Sequence, residues 1–179
     1  MKGNAVKYRV VLLIASVFSI VIAANAAEVV GRPVKIAAAA IGYGGEYKEK
    51  MAMALEHIHV AAKHDVDILC LPEAFCGDKP ESVPGQTTDL MSTLAREYGM
   101  YIICPIVEQF EDKVYNTAVL FDREGTIIGK YRKIFVFWSE NVNAGEATVP
   151  VFDTEFGRIA ILTCFDLNFP ELWLQAEQQ

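Results

Sequence analysis

The chain has 179 residues, 53% of them hydrophobic, and its 23 acidic residues outnumber its 16 lysines and arginines, for a formal net charge of −7. This acidity, without a basic stripe interleaved with aromatic residues, argues against binding to nucleic acid or to an anionic membrane surface. The length suits one domain, and Val, Ile, Leu, Phe and Ala are abundant enough to build a buried core.

The first 26 residues have the composition of a signal peptide. A positive segment with Lys2, Lys7 and Arg9 precedes an uncharged apolar run over 10–24, and Ala24-Asn25-Ala26 has the small-x-small form of a signal peptidase site. The apolar run is shorter than the roughly 20 residues that span a bilayer, although an uncleaved anchor remains the alternative. We therefore expect an exported protein, periplasmic or secreted, with a mature domain over 27–179 and no membrane association after cleavage.

The first part of this domain predicts strands that alternate with helices. Residues 35–41 form a short apolar strand, and an amphipathic helix follows with Met51, Leu55 and Ile58 on one face. A buried strand over 67–71 comes next, then a second helix that Thr88 caps and Gly99 ends, and then an apolar strand over 101–107. This order indicates right-handed parallel β-α-β units.

The second part predicts antiparallel pairing. A charged link over 108–113 joins the preceding strand to a strand over 114–121, and a turn over 123–125 leads into a strand over 126–134. Residues 150–153 and 158–164 then pair around 154–157. Asn168 with Glu171 three residues later marks a helix start, with Pro170 in the first turn. The predicted fold is an α/β domain with a mixed sheet and helices on at least one face.

Cys164 lies where a thiol nucleophile would be placed, at the end of an apolar strand and just before a helix N-terminus. A thiol becomes a good nucleophile only when a base or a positive field favours the thiolate. The three histidines, His57, His59 and His64, all fall on the first amphipathic helix or at its end, so a Cys-His pair has weak support. The number and spacing of Cys70, Cys76, Cys104 and Cys164 do not resemble a disulfide framework, and no metal-ligand spacing is present.

Glu73 and Lys133 are the candidate base and cation. Glu73 directly follows a buried strand and is flanked by Pro72, Ala74 and Phe75, so it would be partly desolvated and usable as a base; an exposed loop glutamate is the alternative. Lys133 follows two other cations in a strand, where a solvated face is the alternative, but alternation points it opposite to its neighbours. Glu140, in an aromatic loop, could neutralise or orient Lys133.

Together these segments resemble the nitrilase, or carbon–nitrogen hydrolase, superfamily. Its three signature segments are similar, in order, to Leu-Pro-Glu73-Ala-Phe, Tyr-Arg-Lys133-Ile and Leu-Thr-Cys164-Phe-Asp-Leu-Asn-Phe-Pro-Glu171. The resemblance implies an α-β-β-α sandwich with mixed sheets, and it implies Glu73 as general base, Lys133 as oxyanion-stabilising cation and Cys164 as nucleophile. Glu140 aligns with the family's second glutamate, in a loop that varies between members. No metal or organic cofactor is implied.

The implied activity is hydrolysis of a non-peptide C–N bond in a small amide, an N-carbamoyl compound or a nitrile, through a cysteine thioester. Two alternatives remain open: an N-acyltransferase that uses the same thioester, and a truncated binding or scaffold module without catalysis. The family domain is longer, so we expect this chain to be a fragment, incomplete at the C-terminus and inactive alone, from a protein that forms homo-oligomers at full length. Phe135 and Ala144 depart from the histidine and proline common in the family. Asp166 is expected to fix the turn after Cys164.

Overall fold

The computed structural model describes residues 33–42 and 44–179, so the predicted signal peptide lies outside the described residues. No helix in this described part is long and apolar enough to cross a membrane. A 3-10 helix covers Cys164–Asn168, and the other elements, in chain order, are β1 (Ile36–Ala38), α1 (Tyr47–Lys63), β2 (Ile68–Cys70), α2 (Gln86–Tyr98), β3 (Tyr101–Phe110), β4 (Lys113–Phe121), β5 (Ile127–Arg132), β6 (Val151–Thr154), β7 (Gly157–Ala160) and α3 (Pro170–Glu177).

Strands β1 to β5 form one mixed sheet in sequence order. Strands β1, β2 and β3 are parallel, and β3, β4 and β5 are antiparallel, as the sequence predicts. Strands β6 and β7 form a separate antiparallel pair. The parallel half is joined through the helices, since a parallel crossover needs a long connection, whereas the antiparallel half is joined by short turns.

Alternating side chains bury both faces of the large sheet. On one face, Ile102 and Val119 pack with residues of α1 and α2, such as Ile58 and Met91. On the other face, residues of β3, β4 and β5 pack with Phe152 of β6. The helices, the large sheet and the small sheet therefore form successive layers. The antiparallel strands carry apolar side chains on both faces because both faces are covered by another layer.

Close contact between the sheets depends on a glycine in β5. A Cβ atom at Gly129 would lie 2.0 Å from a ring carbon of Phe152, so no larger residue fits while the phenyl ring stays in place. The Phe152 side chain is 9% exposed and fills the space that the missing side chain leaves. This contact fixes how near β6 lies to β5, and the chain that follows β6 and β7 leads to Cys164.

The predicted boundaries differ from the structure at two helix starts. Helix α2 begins at Gln86, two residues before Thr88, and the Thr88 hydroxyl instead accepts the Gly85 N–H at 2.7 Å from the third helical position. Helix α3 has Phe169, without a side-chain capping bond, at its N-cap, and Pro170 is its first residue. The Asn168 amide donates to the Phe165 carbonyl within the 3-10 helix, so Asn168 is not the cap.

Two strand ends also differ. Strand β3 runs through the predicted charged link to Phe110, because Glu108, Gln109 and Phe110 continue the pairing with β4. Strand β7 ends at Ala160, and the apolar residues that follow it make no ladder with a described strand. Cys164 therefore does not end a strand but begins the 3-10 helix. An apolar run predicts burial, whereas the length of a strand depends on its partner.

Candidate active site

The backbone at Cys164 is a tight turn that exposes the thiol. Cys164 has a φ of 48°, in the left-handed region that is uncommon for a residue with a side chain, and its side chain is exposed. The strain of such a conformation persists only when the surroundings hold it, and it is frequent at functional sites. The apolar segment before Cys164 is anchored on the core through Ile161, which is 7% exposed.

Asp166 holds this turn, as the sequence predicts. Its fully buried carboxylate accepts hydrogen bonds from the Thr163 N–H at 3.1 Å, the Tyr131 hydroxyl at 2.6 Å and the Phe135 N–H at 2.8 Å. Burial, and then the neighbouring Asp166 carboxylate, raise the pKa of Tyr131, so the phenol keeps its proton and donates. Because Tyr131 and Phe135 flank Lys133 in the chain, Asp166 connects the cysteine turn to the segment that carries the lysine.

Glu73 lies just beyond β2 and points toward the same place. Its Oε1 atom accepts hydrogen bonds from Lys133 Nζ at 2.9 Å and from Asn116 Nδ2 at 2.7 Å. The Glu73 side chain is only 18% exposed. The alternative of a solvated loop glutamate is therefore wrong, and the carboxylate is partly desolvated, as the sequence predicts.

Lys133 follows the last residue of β5 and is completely buried. Its Nζ atom contacts Glu73 and, at 2.5 Å, Glu140 Oε1. Lys130 and Arg132 bind the buried carboxylate of Glu108 instead, so the alternation of the strand separates the three cations as predicted. Burial lowers the pKa of Lys133, but the two carboxylates outweigh this effect and raise it, so the side chain is an ammonium.

Glu140 and Asn116 complete the polar cluster. Burial raises the pKa of Glu140, but hydrogen bonds from Lys133 and Asn116 outweigh it and hold the pKa below its usual value. The Asn116 amide bridges the two carboxylates, because its Nδ2 atom also donates to Glu140 Oε2 at 3.2 Å. Asn116 is not among the site residues predicted from the sequence. A polar amide within the apolar strand β4 was the available signal.

The thiol of Cys164 lies against this cluster. Its pKa is raised by partial burial and then by the Glu73 carboxylate, which is also its hydrogen-bonding partner, while Lys133 acts in the opposite direction. The resting group is therefore a protonated thiol beside a carboxylate acceptor. Such a pair can pass the sulfur proton to the carboxylate when an electrophile arrives, which is the arrangement of a nucleophile with its base.

These groups open into a cleft with a volume of about 660 Å³, which suits a small molecule. Glu73, Asn116, Glu140 and Cys164 form one polar part of its wall, Asp78, Ser139 and Asn141 add further polar side chains, and the remaining lining is apolar. Lys133 lies beneath the wall, where its charge acts without contact with solvent. A cation placed in this way stabilises negative charge that develops nearby better than an exposed one does.

The other three cysteines and the three histidines lie outside the cleft. Cys70, Cys76 and Cys104 are free, and burial raises the pKa of each, so they are poor nucleophiles. The histidines lie on α1 or at its C-terminal cap and do not line the cleft. Within residues 33–42 and 44–179 there is no group of three or more His, Cys, Asp or Glu side chains that could hold a metal ion.

A sequence model of the family described as "Carbon-nitrogen hydrolase" matches residues 35–179. The chain belongs to the carbon-nitrogen hydrolase family. Among curated relatives, it is 33% identical over 144 residues to omega-amidase NIT2-B of Xenopus laevis, covering 69% of this chain and 52% of the relative. It is 36% identical over 138 residues to beta-ureidopropionase of Arabidopsis thaliana, covering 65% of this chain and 34% of the relative.

Solved structures of the family share the fold. The Nit3 protein of Saccharomyces cerevisiae matches with a TM-score of 0.66 at 26% identity, over 76% of this chain and 57% of Nit3. The NitFhit protein of C. elegans matches with a TM-score of 0.72 at 20% identity, over 82% of this chain and 42% of NitFhit. These likenesses confirm the predicted nitrilase-like mixed-sheet fold. The chain spans about half the length of the omega-amidase that it matches.

Proposed function

We propose that the protein hydrolyses a non-peptide C–N bond in a small amide, with an N-carbamoyl compound or a nitrile as related substrates, through a thioester on Cys164. The observation that carries the proposal is a cleft that brings together the Cys164 thiol and the Glu73 carboxylate, which is itself held by a buried ammonium. Membership of the carbon-nitrogen hydrolase family supports the same reaction class.

In the first half of the reaction, Glu73 takes the Cys164 proton while the sulfur attacks the amide carbon. The carbonyl oxygen becomes an oxyanion, which Lys133 stabilises. When the intermediate collapses, the C–N bond breaks, and the leaving nitrogen takes the proton from Glu73 to depart as ammonia or an amine. Glu140 holds the Lys133 ammonium from the opposite side, through the 2.5 Å contact, and so positions it.

In the second half, Glu73 takes a proton from water, and the resulting hydroxide attacks the thioester carbon. The carbon–sulfur bond breaks, the proton returns to the sulfur, and a carboxylic acid leaves. Asn116 keeps the two carboxylates in place throughout, since its amide donates to both of them. Each step uses only side chains of this cluster and the substrate, so the mechanism needs no cofactor.

The two alternatives are less well supported. An acyltransferase would pass the acyl group to an amine instead of water, whereas membership of the carbon-nitrogen hydrolase family supports water as the acceptor. A scaffold module would have no need for a nucleophile, a base and a cation in one cleft.

We propose in addition that the protein acts after export, following cleavage after Ala26. We expect the 179-residue chain to be inactive by itself, since it matches only 52% of the length of the omega-amidase.

The test is release of ammonia by the full-length protein from a panel of amides, N-carbamoyl compounds and nitriles. Mass spectrometry of the reaction mixture should show one acyl group on the peptide that contains Cys164. Cys164→Ala should abolish turnover and acylation, whereas Cys70→Ala, at a free cysteine outside the cleft, should retain both. Unchanged turnover in Cys164→Ala would refute the mechanism. Transfer of the acyl group to an added amine faster than to water would favour the acyltransferase.

A further inference from the structure

The wall of the cleft is acidic. Asp78 lines it together with Glu73 and Glu140. Among the described residues, the Lys133 ammonium is the cation that contacts Glu73 and Glu140, and it is 0% exposed, so it presents no charge at the surface of the wall. Three carboxylates and one ammonium leave an excess of negative charge along the cleft.

Asp78 is the carboxylate of this wall that the proposed chemistry does not use. It is exposed, and its side chain forms no ion pair with a described residue. Lys79 follows it in the chain but does not line the cleft. The Asp78 carboxylate is therefore available to a charged group of a bound molecule.

Part of the wall is apolar and offers a surface for the acyl chain. Val107, Val114 and Val142 line the cleft together with Phe137. The Phe137 ring also packs edge-on against Phe165, the residue after the nucleophile, with ring centroids 5.2 Å apart. A carbon chain that starts at the sulfur would contact these aromatic and branched side chains, and a charged group at its end would meet the carboxylates of the same wall.

We propose that the substrate is an amide whose acyl group is an apolar chain ending in a cationic group, and that Asp78 determines this preference. This inference rests on the proposed amide hydrolysis and adds the charge of the substrate to it. An acyl chain that ends in a carboxylate is disfavoured, because its charge would face Asp78 and Glu140 without an exposed cation from the described wall. We expect an amide with a neutral acyl chain of the same length to be hydrolysed with an intermediate kcat/KM.

The experiment compares three amides of matched length with the full-length protein: 5-aminopentanamide, hexanamide and the monoamide of glutaric acid. We expect kcat/KM to fall in that order, with about a tenfold or larger difference between the cationic and anionic substrates at low ionic strength. The difference should shrink in 0.5 M salt, because the charges near the rim are screened.

The variants isolate Asp78. Asp78→Asn should reduce the preference for the cationic amide to about threefold, mainly through a higher KM for 5-aminopentanamide. Asp153→Asn is the matched control, since Asp153 is an exposed acid on β6 that does not line the cleft, and it should leave the preference unchanged. Equal or faster hydrolysis of the anionic amide would overturn this inference and leave the proposed function standing. No turnover or acylation with any of the three amides would overturn the proposed function, and this inference with it.

Discussion

Replacing Lys133 by methionine is the sharpest test of the buried cluster. The substitution keeps most of the volume of the side chain but removes the ammonium that lies 2.9 Å from Glu73 and 2.5 Å from Glu140. Two carboxylates, 18% and 25% exposed, would then face each other with only the Asn116 amide between them. One of them should take up a proton, because two like charges at this separation cannot both stay ionised in a partly desolvated site.

The magnitude follows from the geometry. At an effective dielectric constant of about 20, each contact of roughly 3 Å contributes about 6 kcal/mol of attraction, which the cost of removing the ions from water largely offsets. Removing one partner of such a cluster leaves that cost uncompensated, at about 3–5 kcal/mol for fully buried pairs. Because both carboxylates keep some exposure, we expect a loss near the lower end, about 3 kcal/mol of unfolding free energy at pH 7.

The loss should depend on pH with a definite sign. The pKa of Glu140 is lowered in the folded protein, so its ion pair contributes stability above the pKa of the unfolded chain, and the contribution disappears as the pH falls through the folded value. The difference between the original protein and Lys133→Met should therefore be largest at neutral pH and small in acid below the ordinary glutamate range. Urea unfolding at pH 7 and at acidic pH measures both values.

Lys130→Met is the matched control. Lys130 is 30% exposed, and its carboxylate partner Glu108 keeps a second cation in Arg132. The expected loss is about 1 kcal/mol. An equal loss for the two variants, or a Lys133→Met loss that does not change with pH, would refute the electrostatic account and leave side-chain packing as the cause.

Three further substitutions test the geometry of the site. Glu73→Gln should abolish turnover and lower the pKa of the Cys164 thiol, because the carboxylate raises it. The thiol should then be alkylated faster by iodoacetamide at neutral pH, and an unchanged pH profile of alkylation would contradict this prediction. Asn116→Ala removes the donor shared by the two carboxylates and should lower kcat by about tenfold or more with little change in KM, as measured by steady-state kinetics. Gly145→Ala places a Cβ atom 2.3 Å from the Arg132 carbonyl and should cost about 1–3 kcal/mol in urea unfolding; a loss below about 0.5 kcal/mol would show that the loop yields.

Local patterns in the sequence were sufficient for the parts of the site that depend on one segment. The two-residue period of β5 alone separates Lys133 from Lys130 and Arg132, and the position after a buried strand alone brings Glu73 to the sheet edge. Asn116 was not found, because its role depends on how β4 lies against β5 and on a loop that returns Glu140 to it. Such distant pairings are set by the register between strands, which no local period specifies.

The turn at Cys164 shows the same limit. The apolar run before the cysteine is buried in part, as its composition predicts, but β7 ends at Ala160, because its partner β6 is only four residues long. The left-handed backbone of Cys164 depends on three hydrogen bonds to Asp166, two of them from β5 and the segment that follows it. The predicted role of Asp166 was thus confirmed for the turn, while its link to the lysine segment became visible only in three dimensions.

The two ion clusters beside β5 separate a structural from a reactive arrangement. Glu108 faces two cations and the Thr117 hydroxyl, which lies 2.8 Å away; burial raises its pKa, but the bonds from Arg132, Lys130 and Thr117 lower it to about 2. That cluster has more donors than acceptors and cannot take up a proton near neutral pH. The cluster around Lys133 has two carboxylates for one ammonium, so it keeps an acceptor for the thiol proton.

This difference predicts that Glu108→Gln lowers stability but not turnover, whereas Glu73→Gln abolishes turnover. Glu108→Gln should cost about 3 kcal/mol of stability at pH 7, because two partly buried cations lose their partner, yet it should leave kcat/KM per folded molecule unchanged. The stabilisation is present above the ordinary glutamate pKa and is lost as the pH falls toward 2, so the cost should shrink in acid. Urea unfolding and ammonia release, normalised by titration of the Cys164 thiol, measure the two effects. If Glu108→Gln lost turnover as Glu73→Gln is expected to, the number of carboxylates per cation would not explain why Glu73 acts as the base and Glu108 does not.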